Sequence, residues 1–293
     1  EYSSQTQVSK LVYAYFEVTK PKIWILLAFT AFGGFVVASG KEMPWITGII
    51  MLLAVILGSA GANTLTNYID RDIDAVMNRT KLRPLPTHRI SPASRALIFG
   101  LVMSVFSLLL AASLNPLSFI FMFLGIFDNV IIYSRIMKRR SPLNIIMGGF
   151  SGGMPVLIGY VAVTNEVTIF SLLLAAIVVI WTPTHIWSLA LHSKEDYAKV
   201  NVPMLPVVVK EKTAVRIIAI ASILMVVFSL VIPLYYPLGL IYFISAAILG
   251  VAMLVLNLWL FLKPTKEISW IVFKASSPYL GLIFTALILD VLI

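Results

Sequence analysis

Apolar residues in this chain come in runs separated by brief clusters of Pro, Gly and charge. Nine runs stand out, near 22–39, 45–68, 93–113, 116–136, 143–163, 167–191, 213–233, 237–262 and 270–292. Most approach the ~20 residues a helix needs to cross the hydrocarbon core of a bilayer. A closed barrel would instead show short segments of alternating polarity. The pattern therefore predicts an all-α fold, a polytopic membrane bundle of about nine transmembrane helices, with residues 1–293 forming a single integral-membrane domain.

The connections between runs alternate in character. GKEMP (40–44), the junction at Asn115-Pro116, TNE (164–166) and LYYP (234–237) are short and together hold one basic residue, Lys41. The stretches 69–95, 135–142, 192–216 and 263–269 are longer and basic, and Lys10, Lys20 and Lys22 precede or open the first run. Cytoplasmic loops of membrane proteins carry the excess of Lys and Arg. The expected location is the cell (cytoplasmic) membrane, with the N-terminus and the long loops cytoplasmic and the C-terminus outside. The opening EYSSQTQVSK has no secretory-signal pattern, so the first run is expected to act as the insertion signal.

Composition agrees with this reading. Of 293 residues, 60% are hydrophobic and 12% charged, and mean hydropathy is +0.97, which excludes an ordinary soluble domain. With no cysteine, disulfides and thiolate metal sites are excluded. The net charge of +9 sits in loops at one membrane face and calls for no nucleic-acid partner.

One stretch carries the candidate chemistry: NTLTNYIDRDIDAVMNRTKLRPLPTHRISP, residues 63–92. Asn63, Asn67, Asp70, Asp74 and Asn78 recur at helical spacing, which puts them on one helix face. Asp70 and Asp74 are one turn apart, and Arg79, Lys81, Arg83 and Arg89 follow directly. Carboxylates followed by cations suit a magnesium diphosphate, because Mg²⁺ takes few carboxylates and fills its shell with phosphate oxygens. Arg and Lys then neutralise the remaining charge. Asn63 and Asn67 belong to the same diphosphate-facing stripe. The plainer alternative is a solvated polar helix end at the membrane boundary.

A weaker counterpart follows the sixth run. In WTPTHIWSLALHSKEDYAKVNVPMLPV (181–207), His185, His192 and Asp196 again fall at helical spacing, with Lys194, Glu195 and Lys199 beside them. Two acidic helix ends in one cavity would hold two Mg²⁺ ions about one diphosphate. Asp196 and Glu195 are then second-site metal ligands, and His192 and Lys194 contact the diphosphate. His185 lies deeper, within apolar sequence, where a polar group is costly and is either hydrogen-bonded in the core or functional. Asp128 stands in the fourth run and needs a partner or a polar cavity, with Arg135 within partial reach. The small residues of SPLNIIMGGFSGGMPVLIGY (141–160) point to close helix packing.

These residues carry a resemblance. NYIDRDIDAVMNRTKLRPLP looks like the first Asp-rich motif of the UbiA-type intramembrane prenyltransferases, and most like the branch that prenylates protohaem IX (haem O synthases). YSRIMKRRSPLNIIMGG (133–149), HIWSLALHSKEDYAKVNVPMLPV (185–207) and TKPK (19–22) resemble other parts of that branch, so the likeness runs from about residue 19 to 208. The family commonly has Asn four residues before the first Asp, where this chain has Thr66. The resemblance implies transfer of a farnesyl or longer prenyl group from a polyprenyl diphosphate to a vinyl group of haem b. It assigns Mg²⁺ to Asp70, Asp74, Asp196 and Glu195, and diphosphate charge to Arg79, Lys81, Arg83, Lys138 and Arg139. His185 then binds or orients the haem. Other implied partners are the lipid bilayer and downstream haem-modifying or terminal oxidase assembly proteins. Competing readings are prenylation of an aromatic precursor such as 4-hydroxybenzoate, a membrane transporter, and a non-catalytic haem-binding protein.

Overall fold

A computed structural model describes residues 2–236 and 238–293, the side chains of 2–7 and of Tyr235 excepted. Pro237, which closes the LYYP junction, lies outside the described residues. No strand occurs among them. The chain opens with α1 (Tyr2–Val18) and continues with α2 (Pro21–Ser39), α3 (Trp45–Ile69), the short α4 (Arg71–Val76) and α5 (Ser94–Leu114). Next, α6 (Pro116–Phe127) runs on into a π-helix over Asp128–Met137, followed by α7 (Asn144–Thr164) and α8 (Ile169–His192). Two short helices, α9 (Lys194–Lys199) and α10 (Leu205–Val208), lead to α11 (Glu211–Tyr235), α12 (Leu240–Leu262) and α13 (Lys266–Leu292).

Nine of these, with α6 and its π continuation taken as one span, are long and apolar enough to cross a membrane. Their bounds fall within a few residues of the runs read from hydropathy. The outer surface shows why hydropathy finds them. Leu101, Val105 and Leu109 on α5, Phe119, Phe123 and Phe127 on α6, and Ile244, Ile248, Val251 and Val255 on α12 are all exposed. Such stripes at helical spacing would be insoluble in water and suit contact with lipid.

Caps are local and follow the sequence. Asn115 accepts from the Ser118 N–H at 2.8 Å, with Pro116 in the first turn of α6, while its amide donates to the Val161 carbonyl at 2.7 Å. Thr168 and Ser171 bond each other's backbone N–H groups to start α8. Thr265 caps α13.

The bundle closes on small residues. A Cβ added to Gly34 would run into the Val156 carbonyl, and one added to Gly159 into the Ala31 carbonyl. The backbones of α2 and α7 thus touch at two places about one turn apart. Between these helices and α8, α11, α12 and α13 lies the main apolar cluster, with Val156, Leu174, Val178, Tyr279 and Phe284 buried. All four long connections gather at one end of the bundle, where Arg79 meets Asp196 and Lys266 meets Glu195. The N-terminal helix joins the same end, since Arg89 forks onto Glu17 at 2.6 and 3.1 Å. These contacts make up the polar end of the bundle.

Replacing Gly159 by Val should overpack the α2–α7 contact, at a cost of about 1–3 kcal/mol. A lower thermal midpoint of the detergent-solubilised protein, followed by tryptophan fluorescence, checks this; Gly281→Ala, whose Cβ would meet only Leu26 Cδ1 at 4.0 Å, controls for general handling.

Candidate active site

The cavity at the polar end is built on a break in α3. Asn63 and Thr66 are still helical, but Asp70 leaves the helix at φ −91° and ψ 5°, and α4 starts one residue later. The five-residue face expected from spacing is therefore corrected: a kinked chain cannot keep one stripe through 78. Asn63, Thr66, Asp70 and Asp74 line the cavity. Asn67 turns away to the N-terminal segment, donating to the Val18 carbonyl at 2.6 Å, and accepts from Arg83 at 3.2 Å. Asn78 is exposed beyond α4 and accepts from Lys81 at 3.0 Å.

Asp70 and Asp74 are nearly inaccessible, 2% and 3% exposed, so each needs a countercharge. Lys138 ion-pairs with Asp70, and Arg83 pairs with Asp74 at 2.7 Å. Lys138 reaches Asp70 because of the π-helix. Its N–H bonds to the Tyr133 carbonyl five residues back at 2.8 Å. At about 4.4 residues per π turn, nine residues make roughly two turns, so Asn129 and Lys138 share a face. An α-helix at 3.6 would set them on opposite faces. Asn129, Tyr133, Ser134 and Lys138 all line the cavity. Burial works against the Lys138 ammonium, yet the adjoining Asp70 carboxylate outweighs it and holds its pKa above the ordinary value.

Lys20 is a site residue that motif reading passes over as a flanking charge. It precedes α2 in a left-handed conformation (φ 56°), lines the cavity, and donates to the Thr66 hydroxyl at 3.1 Å. Thr66, the departure from the family pattern, thus receives a lysine. Burial lowers the Lys20 pKa to about 7, and Arg83 and Lys138 push in the same direction.

Arg79 completes the cationic group from the far side. Its backbone N–H donates to Asp196 at 3.0 Å and its guanidinium to the Tyr197 hydroxyl at 3.2 Å. The chain breaks at Ser193, so Asp196 lies on α9 and not on the face of His185 and His192, which corrects the single-helix expectation. Asp196 is buried against Arg79, outside the cavity lining. Glu195 is exposed and paired with Lys266 at 2.6 Å, which holds its pKa below the usual carboxylate range. Arg139 forks onto the exposed Asp72, whose pKa falls to about 2 mainly through that bond. Lys81, Lys194 and Arg139 are likewise outside the lining.

The cavity encloses about 540 Å³. Beyond its charged end it becomes apolar, with Leu26, Phe121, Ile126, Met154 and Ile158 in its walls. One wall is aromatic. Rings stack in the order His192, Trp270, Phe273, His185, Trp181, with successive centroids 4.8, 5.0, 4.5 and 4.3 Å apart. Trp181, His185 and Phe273 face the cavity, whereas His192 does not, bonding instead to the Lys266 carbonyl at 2.9 Å. The His185 Nδ1 lies 2.7 Å from Ser276 Oγ, and Oγ donates to the Phe273 carbonyl at 2.7 Å. With the hydroxyl hydrogen on the Phe273 carbonyl, Nδ1 would be the donor and Nε2 would keep its lone pair. Asp128 accepts from the Ser151 N–H at 2.9 Å, and not from Arg135.

Three residues that line the cavity each have a polar atom buried without a hydrogen-bond partner: Asn63 Nδ2, Asp70 Oδ1 and Ser134 Oγ. Arg139 approaches Asp70 Oδ1 no closer than 3.9 Å. A free carboxylate oxygen beside a free amide donor fits a hard cation with an anionic oxygen ligand. No cluster of three His, Cys, Asp or Glu occurs among the described residues, so such a cation would draw the rest of its shell from its ligand and water.

Residues 26–285 match the model of the UbiA prenyltransferase family. The chain is 46% identical to protoheme IX farnesyltransferase 2 of Cenarchaeum symbiosum, across 95% of this chain and 96% of that one. It is 47% identical to protoheme IX farnesyltransferase of Desulforudis audaxviator, across 95% and 88%. Its fold is similar to that of a UbiA homologue from Archaeoglobus fulgidus bound to GPP and Mg²⁺, with TM-score 0.68 at 16% identity over 94% of this chain and 99% of that one.

A lysine with a pKa near 7 is neutral, hence nucleophilic, above that pH. In metal-free detergent, acylation of Lys20 should rise through a midpoint near pH 7, against ~10 for exposed lysines. Inorganic diphosphate should raise the Lys20 midpoint, because an anion favours the ammonium. Peptide mass spectrometry of pulse-labelled protein measures both.

Proposed function

Since the chain belongs to the UbiA prenyltransferase family, we propose that it transfers a prenyl group from a polyprenyl diphosphate to a vinyl group of haem b. The observation that carries this reading is one cavity that joins a cationic, carboxylate-bearing end to an aromatic wall. The names of the relatives from C. symbiosum and D. audaxviator support haem as acceptor. The Mg²⁺ and GPP of the A. fulgidus structure support a metal diphosphate at the charged end.

In this reading Asp70 and Asp74 hold Mg²⁺, which supplies Lewis-acid neutralisation of the diphosphate when bound. Lys138 and Arg83 exchange their carboxylates for diphosphate oxygens. Lys20 and the free Asn63 amide donate to the same oxygens, and Arg79 does so from the opposite side. Asp196 acts through Arg79, fixing its backbone. Asn67 acts through Arg83. Lys81, Arg139, His192, Lys194 and Glu195 stand outside the cavity and receive no diphosphate contact here. These donors oppose the charge that grows as the allylic C–O bond breaks, and being fixed in advance they need little reorganisation. The vinyl π pair then forms the new C–C bond at the allylic carbon. Water adds to the resulting carbocation and loses a proton, leaving a hydroxyl on the haem side chain. The apolar walls protect the allylic cation from water before that bond forms. His185, clamped between Trp181 and Phe273, orients the haem through its free Nε2. Residues 1–293 work as a single unit. The positive-inside bias turns the polar end to the cytoplasm of the cell membrane, with the C-terminal end of α13 outside. Product passes to haem-modifying or terminal oxidase assembly proteins.

The test is incubation of purified protein with haem b, Mg²⁺ and prenyl diphosphates of several lengths, then mass spectrometry of extracted haem. A haem heavier by prenyl plus hydroxyl is expected; unchanged haem alongside a prenylated 4-hydroxybenzoate would overturn the acceptor. Asp70→Asn and Asp74→Asn should each cut product formation by roughly two orders of magnitude or more while the protein still elutes as a folded species. Loss of one charge-assisted hydrogen bond costs about 1.5–3 kcal/mol, so Arg83→Ala should lower kcat/KM for the diphosphate roughly ten- to a hundredfold.

A further inference from the structure

Six cationic side chains line the cavity: Lys20, Lys22, Arg79, Arg83, Lys138 and Lys274. Four are engaged with the charged end. Lys138 and Arg83 pair with carboxylates, Lys20 bonds Thr66, and Arg79 bonds Tyr197. Lys22 and Lys274 have no carboxylate or hydrogen-bond partner among the described residues, and the Lys274 ammonium lies 5.3 Å from the centre of the Trp270 ring.

Their positions are related. Lys22 is in the first turn of α2 and Lys274 in the third turn of α13. The two helices pack together, with Leu26 Cδ1 4.0 Å from where a Gly281 Cβ would stand. Counted from that contact, Lys22 and Lys274 lie ~6 and ~10 Å toward the polar end at 1.5 Å per residue. Both are exposed and both line the cavity, so they stand on its rim. Lys274 directly follows Phe273, a member of the aromatic wall.

We propose that Lys22 and Lys274 are the anionic anchor for the acceptor: they bind its two carboxylates at the rim while the macrocycle lies along Trp181, His185 and Phe273. This rests on the haem reading above and extends it to substrate pose and selectivity. Haem b carries its two propionates on one edge and its vinyl groups on the other half of the ring. Propionates held at the rim turn the vinyl half into the cavity. Lysines near a membrane boundary also extend to water simply to be solvated, and the two roles differ in one respect: only an anchor senses whether the propionates carry charge.

The experiment uses the full chain in a neutral detergent, with haem b and haem b dimethyl ester titrated by absorbance and tryptophan quenching. Wild type should bind haem b at least tenfold more tightly than the diester. Lys22→Gln with Lys274→Gln should bind haem b about as weakly as the diester, leave diester affinity unchanged, and keep the thermal midpoint. Lys22→Arg with Lys274→Arg should restore the preference. If the double Gln variant keeps the wild-type preference, or loses both ligands equally, the anchor is refuted. If wild type binds neither ligand, the haem reading fails first and takes the anchor with it.

Discussion

Two carboxylates buried at the end of a membrane helix are the constraint around which this molecule is arranged. Asp70 and Asp74 are almost without solvent contact, and a lone buried carboxylate costs several kcal/mol. Their countercharges come from elsewhere in the chain: Arg83 from the loop after α4, and Lys138 from the far end of the π-helix. Each ion pair ties together segments that would otherwise meet only at a bundle end. The break at Asp70, the π turns before Lys138 and the turn of Asn67 toward Arg83 all serve those pairs.

The same pairs define what the cavity can receive. Carboxylates already satisfied by cations give a bare divalent ion little to gain. In the proposed function, a metal arriving with an anion would offer both partners a replacement, with carboxylate passing to metal and ammonium or guanidinium to phosphate. Asp70 Oδ1 and Asn63 Nδ2, buried without hydrogen-bond partners, are where such an exchange would begin in that reading. The charged end and the aromatic wall belong to one continuous cavity, so a donor and a flat acceptor can meet without leaving the bilayer.

Much of this was legible in the sequence. Lipid contact forces long apolar helices, so hydropathy located all nine spans to within a few residues, and loop charge identified the end where the long connections gather. Asp70, Asp74 and Arg83 were visible because their chemistry is local in sequence. What escaped depended on backbone irregularity or on distant partners. Spacing assumes an unbroken helix, and breaks at Asp70 and Ser193 moved Asn78 and Asp196 off the expected faces. Nothing in DNVIIYSRIM announces a π-helix, yet that winding is what carries Lys138 to Asp70. Lys20 and Lys22 read as ordinary boundary lysines and Lys274 carries no signal in the sequence; which of them find partners among the described residues appears only when α2, α3 and α13 are together. The ring stack joins α8 to α13 through His192–Trp270 and His185–Phe273, pairs far apart in sequence and beyond the reach of any periodicity.

The exchange of countercharges is tested most directly by measuring Mg²⁺ affinity calorimetrically with and without a non-reactive prenyl thiolodiphosphate. Mg²⁺ should bind at least tenfold more tightly when the diphosphate analogue is present, and Asp70→Asn should abolish that gain. Equal Mg²⁺ affinity in its presence and absence would contradict the account.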